Sequence, residues 1–198
     1  MALALFRPRG LDHGIAKGRH PLRRASAFLG GVGAAHIVTS VVLAATGAVP
    51  TAPVLIGLDP VNYHVWQALF IVPLIFTVWV LSSGVILVLG KKGCRRSQLL
   101  AETAWAWGGP LLVAWVPALV QAAFMALGMG QEEWVTLFSE PGPWQTGYLA
   151  FYAAAAALAV RDFILVARTV HKKPWPAAVL TGTAAAALAI GAFVLFIR

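Results

Sequence analysis

The sequence predicts an all-α fold, an integral membrane bundle of five transmembrane helices with the N-terminus cytoplasmic and the C-terminus outside. Three observations carry that expectation. Of 198 residues, 60% are hydrophobic and 11% charged, where a soluble domain averages about 25% charged. Five apolar stretches, at about residues 25–49, 63–89, 98–128, 146–170 and 175–197, are each long enough to cross a hydrocarbon core of about 30 Å. The charges alternate in sign from one connection to the next. Thirteen of the fifteen Lys and Arg residues lie in the N-terminal arm, in the second and fourth connections or at the helix ends beside them, whereas Asp59, Glu132, Glu133 and Glu140 lie in the first and third. This is the positive-inside pattern, and it accounts for the net charge of +8 without a nucleic-acid partner.

Residues 1–24 form a basic arm before the membrane domain of residues 25–198. Arg7, Arg9, Lys17, Arg19, Arg23 and Arg24 face one acid, Asp12, and are expected to meet anionic lipid headgroups at about 1 kcal/mol each. Leu3, Leu5 and Phe6 would dip into the interface. A protein-binding arm is the rival reading. A secretory signal is not expected, because a signal carries its charges before its apolar core.

The first span is rich in small residues. Gly30 with Ala34, and Gly31 with Ala35, form small-xxx-small pairs that admit a second helix. His36 follows at mid-depth, either as a neutral imidazole bonded to a neighbouring helix or as a relay group. Asp59-Pro60 marks a turn or helix start, and Tyr63, His64 and Trp66 suit the membrane interface. The second span carries Pro73 and the polar patch Ser82-Ser83-Gly84, then ends in GKKGCRRS, a basic turn. Its Cys94 is the chain's one cysteine, which rules out an intrachain disulfide, and no second thiol or nearby histidine completes a catalytic or metal set.

The third span holds a lone acid, Glu102, and is weakened at its middle by Gly108-Gly109-Pro110 and Pro117. Glu102, Trp105 and Gly109 share a face at the 3.6-residue period, so Gly109 is expected to admit a neighbour on the acid's side. The acids of the following connection read as a solvated loop. The fourth span is interrupted by Arg161-Asp162, and the fifth is small along Thr183, Ala187 and Gly191. Helices three and four run antiparallel, and rise per residue puts Glu102 and Arg161 at similar depth, which predicts an ion pair between them. Asp162 is the competing partner.

The passage LVLGKKGCRRSQLLAETAWAWGGPLLVAWVP, residues 87–117, resembles the Ypt-interacting-protein family of polytopic membrane proteins, in which a glycine-containing basic turn leads into a span with aromatic and proline residues. Gly90-Lys91 stands where a glycine pair is common, and Trp105 or Trp107 where a tyrosine is expected. The resemblance implies five spans and a partner-binding role, since eukaryotic members engage Rab-type GTPases. It carries no functional residue across. The compact Ala- and Gly-rich chain points to a bacterial inner membrane.

No complete catalytic set is present, so the expectation is a non-enzymatic scaffold or partner-binding protein, without metal or cofactor, whose partners are the bilayer, a second copy or another membrane protein. The alternative is a small carrier using His36, Glu102, Arg161 and Asp162. A membrane enzyme or haem protein is disfavoured, because His36 lies mid-span and His64 at the boundary.

Overall fold

A computed structural model describes residues 20–50, 59–90, 95–139 and 141–196. Arg7, Arg9, Lys17, Arg19 and Cys94 lie outside the described residues. The described residues form six α-helices and one 3-10 turn, and no strand. The helices are α1 (Pro21–Ala45), α2 (Tyr63–Leu89), α3 (Arg96–Ala126), α4 (Gln131–Ser139), α5 (Pro143–His171) and α6 (Trp175–Phe196). All except α4 are long and apolar enough to span a membrane. The end of the bundle bearing Arg23, Arg24, Arg95, Arg96, Lys172 and Lys173 is called the basic end below, and the end bearing Asp59, Glu132 and Glu133 the acidic end.

Helix boundaries follow their punctuation. Pro21 occupies the first turn of α1, where its fixed φ is preorganised and its missing N–H costs nothing. Arg23 and Arg24 therefore belong to the helix, not to the arm. At the other end Gly47 takes φ 71°, Gly47 N–H donates to Ala44 and Ala48 N–H donates to Leu43, a Schellman closure that stops α1 short of residue 49. Gly128, at φ 101°, closes α3 the same way with Met129 N–H on Phe124. The 3-10 turn Pro60–Asn62 starts α2, and Asp59 caps it by accepting from Val61 N–H at 3.1 Å. Pro110 and Pro117 are accommodated within α3, which runs unbroken.

The third connection corrects the sequence reading. Instead of a loop it contains α4, whose Glu133 carboxylate accepts from Gly130 N–H at 3.1 Å and whose Trp134 is buried against Phe124 and Phe138. Gln131 exchanges two hydrogen bonds with the Val49 backbone, which ties α4 to the end of α1.

The five long helices pack as a closed ring in the order α1, α2, α6, α5, α3, and α3 also touches α2 across it. Four glycines make the closest approaches, one of them Gly90 at the end of α2, where a methyl group would overlap the His171 ring. A methyl group at Gly33 would lie 2.7 Å from Val72 Cγ2 across α1 and α2; one at Gly108 would overlap Phe28 of α1; one at Gly182 would overlap the α5 backbone at Phe163 and Ile164. Gly30, Gly31, Gly109 and Gly191 have no atom within 4 Å of such a methyl, and Ala34 and Ala187 are exposed. The predicted packing stripes thus lie one helical step from the ones used within the chain. On α6 the buried face is Ala178, Thr181, Gly182, Ala185, Ala186 and Ala189, at the 3.6-residue spacing.

Candidate functional site

Two separate groups of polar side chains inside the bundle are strung along α3. Near the basic end Glu102 is 8% exposed. Gln98 Nε2, one turn before it, donates to Glu102 Oε1 at 2.9 Å, and Thr169 Oγ1 of α5 lies 3.2 Å from Oε2. Arg161 is elsewhere. Its Nε and Nη2 both reach Asp162 Oδ1 at 2.7 Å, with the arginine side chain 42% exposed and the aspartate 12%.

The expected Glu102–Arg161 pair is therefore replaced by a pair between sequence neighbours. Rise per residue misplaced Arg161 in depth as well as in angle. Arg161 sits on the outward face of α5, and its long side chain folds back over the inward-facing Asp162. The residue of α5 that stands level with Glu102 is Thr169, eight positions beyond Arg161 and so about 12 Å nearer the basic end.

Deeper in, Trp79 of α2 donates its indole N–H to Leu100 O at 2.8 Å and lies 3.2 Å from Thr103 Oγ1, while Ser83 and Thr103 share a hydrogen bond of 2.5 Å. Ser82 reaches Ala185 O at 3.5 Å. Each hydroxyl of the Ser82-Ser83 patch thus joins α2 to a different helix.

The second group lies toward the acidic end. Ser40 Oγ of α1 donates to Gln67 Oε1 of α2 at 3.0 Å, and His64 Nδ1 stands 3.0 Å from the same oxygen. Trp115 of α3 donates to Thr39 Oγ1 at 2.8 Å. His36, one turn before Ser40, is buried with its ring 6.4 Å from that of Trp115. Glu102 and Trp115 are thirteen positions apart on α3, or about 20 Å. Between the two groups the core is an apolar layer that includes Leu29, Ile75, Leu111 and Phe163, each 1% exposed or less.

Lys173 lies in the fourth connection, yet it is 7% exposed. Lys172 adopts φ 48°, which turns the chain and sends Lys173 inward, where Nζ donates to Leu89 O at 2.5 Å and Thr181 Oγ1 at 2.6 Å. Arg168 holds the same turn from outside, donating to Lys173 O at 2.8 Å with its guanidinium 4.5 Å from the Trp175 ring. The C-terminal carbonyls of a helix attract a cation, so the lysine pins the end of α2 to α5 and α6.

Of the candidates read from the sequence, Glu102, Asp162 and His36 are buried and Arg161 is outside, and the four do not converge. The Ser40–Gln67–His64 group was missed. Its signal was present as Thr39 and Ser40 at one turn from His36, and Gln67 one turn from His64. No cluster of three or more His, Cys, Asp or Glu able to hold a metal occurs among the described residues. No protein-family model, curated protein or solved structure matches the chain.

Proposed function

We propose that this chain is a non-enzymatic membrane scaffold or partner-binding protein of a bacterial inner membrane, oriented with its N-terminus in the cytoplasm, and a member of the Ypt-interacting-protein family. The observation that carries the reading is the pair of small-residue faces that the fold leaves unfilled. Gly31 and Ala34 on α1, and Ala187 and Gly191 on α6, look away from the bundle, while the glycines that its own packing requires are Gly33, Gly90, Gly108 and Gly182. In a bilayer such faces favour close approach of another helix, because helix association there rests on van der Waals fit. The charged groups support the same reading. Each is satisfied locally, and an apolar layer separates the two polar groups.

A photoreactive residue placed at Ala34 or Ala187 in native membranes should give discrete crosslinked species, whereas one at lipid-facing Val80 should not. Gly31→Leu should abolish the Ala34 product and leave the monomer's stability unchanged. Absence of crosslinks at both faces, together with solute-dependent flux in proteoliposomes that Glu102→Gln removes, would move the assignment to the carrier.

A further inference from the structure

We propose that the outward face of α5 around Arg161 and Asp162 is an interface for a second copy of this chain, in which Arg161 of each copy donates to Asp162 of the other. This interface rests on the membrane reading above and lies on a different face from those of α1 and α6.

Depth sets Arg161 apart from the other arginines. It stands two positions from Phe163, a residue of the apolar middle layer, or about 3 Å along the axis. Arg168, in the last turn of α5, is seven positions and about 10 Å away. Arg161 thus lies near mid-depth on the outside of the bundle, with its side chain 42% exposed. A lipid-facing arginine at that level is a costly placement, and charges inside a membrane face protein or water instead.

Asp162 answers the charge of Arg161 but not all of its donors. A guanidinium carries five N–H groups in a planar fork, and only Nε and Nη2 reach the aspartate, both at Oδ1. Among the described residues Nη1 has no acceptor and Asp162 Oδ2 no donor. The aspartate side chain keeps 12% of its surface exposed, so the pair offers a donor and an acceptor side by side.

Charge balance selects the occupant. The pair is neutral, so a partner bringing a lone acid or a lone base would leave a net charge in hydrocarbon. A second copy, related by a two-fold axis along the membrane normal, brings one of each at the same depth. Two charge-assisted bonds from Nη1 to Oδ2 then close across the axis, and the four groups together stay neutral. The surface admits this approach. Arg161 ends a line of exposed alanines, Ala150, Ala154 and Ala157, at the 4-3-4 spacing of a helix seam, and such short side chains let two helices come close.

The test uses the full chain, co-expressed in two differently tagged forms, with a benzophenone amino acid in place of Phe151, an exposed residue three positions before Ala154. Irradiation of native membranes should yield a product of twice the monomer mass that carries both tags. Arg161→Gln in both copies, or Asp162→Asn in both, should lower its yield at least about tenfold, the factor for one charge-assisted hydrogen bond. Arg161→Gln in one copy and Asp162→Asn in the other should restore it, because one arginine then meets one aspartate across the axis. Should a variant not fold, the product of the otherwise unaltered copies decides, since its linkage, mapped by mass spectrometry, should fall on α5 of the other copy. Gly31→Leu should leave this product intact, which separates the α5 face from that of α1. Carbonate extraction, which should leave the chain in the membrane whatever the crosslinks show, reads the bilayer assignment separately. Adducts with lipid alone, a product with a different protein, linkage to a helix other than α5, or a mixed pair no better than the single variants would each overturn the proposal.

Discussion

Thr169 Oγ1 stands 3.2 Å from Glu102 Oε2, and through this contact α5 meets the acid of α3. Arg161 is engaged with Asp162 instead. Thr169→Val and Glu102→Gln should therefore be coupled in a double-mutant cycle by about 1 kcal/mol, the usual scale of one hydrogen bond. Arg161→Gln should add to Glu102→Gln within about 0.5 kcal/mol. Denaturant unfolding in mixed micelles measures both cycles. Strong coupling of Glu102 with Arg161, and none with Thr169, would restore the pairing inferred from depth alone.

Two classes of glycine should behave oppositely. At Gly182 an added methyl meets backbone of α5, which cannot rotate aside, so Gly182→Ala should cost about 1–3 kcal/mol by overpacking. At Gly31 the same change meets nothing, and relief of glycine's poor helix propensity should leave the monomer equal or more stable by up to about 1 kcal/mol. Thermal unfolding of the two variants separates them. A loss at Gly31 as large as that at Gly182, in monomeric protein, would place a helix against the α1 face within the chain.

Five spans and the prolyl helix start at Asp59-Pro60 are properties of local sequence, set by apolar length, capping chemistry and fixed φ, and they are legible without a structure, whereas the start at Pro21 was not read, because the arm was expected to run to residue 24. Contacts across helices are not. His36 and Glu102 were visible because each is a single polar group in an apolar run, but rotational phase decides what each touches, and a step of one residue turns a side chain by about 100°. That step separates Gly109 from Gly108, and Arg161 from Asp162. Lys173 escaped notice for another reason. Its burial follows from the left-handed turn at Lys172, a conformation that lysine seldom marks in sequence. The helix α4 was hidden by its acids, although Trp134 and Phe138, one turn apart, had the spacing of a helical face.

Orientation can be tested at Cys94, which the sequence places among Lys91, Lys92, Arg95 and Arg96. If the basic end is cytoplasmic, a membrane-impermeant maleimide should label Cys94 in inside-out vesicles and not in intact cells. Labelling of intact cells alone would invert the bundle. The anionic-lipid role proposed for Arg23 and Arg24 would then move to the opposite leaflet.

The buried lysine gives the most demanding test of how the basic end is held. Lys173 Nζ satisfies Leu89 O and Thr181 Oγ1 together, and hydrogen bonds made by a charged donor contribute about 1.5–3 kcal/mol each before the cost of burying the ammonium is set against them. Lys173→Met keeps the length and apolar stem of the side chain but removes the donor, leaving a helix-terminal carbonyl and a buried hydroxyl without it. The net loss should be about 1–3 kcal/mol, because the methionine is also spared the ammonium's desolvation. Thr181→Val alone should cost less, and the double variant should fall short of the sum of the two, since each removes the same bond. Hydrogen exchange provides a second readout: in Lys173→Met the last turn of α2, ending at Leu89, should exchange faster, while the start of α2 at Tyr63 keeps its protection. Strictly additive losses with unchanged exchange at Leu89 would mean that the ammonium is held by its surroundings without holding α2 in return.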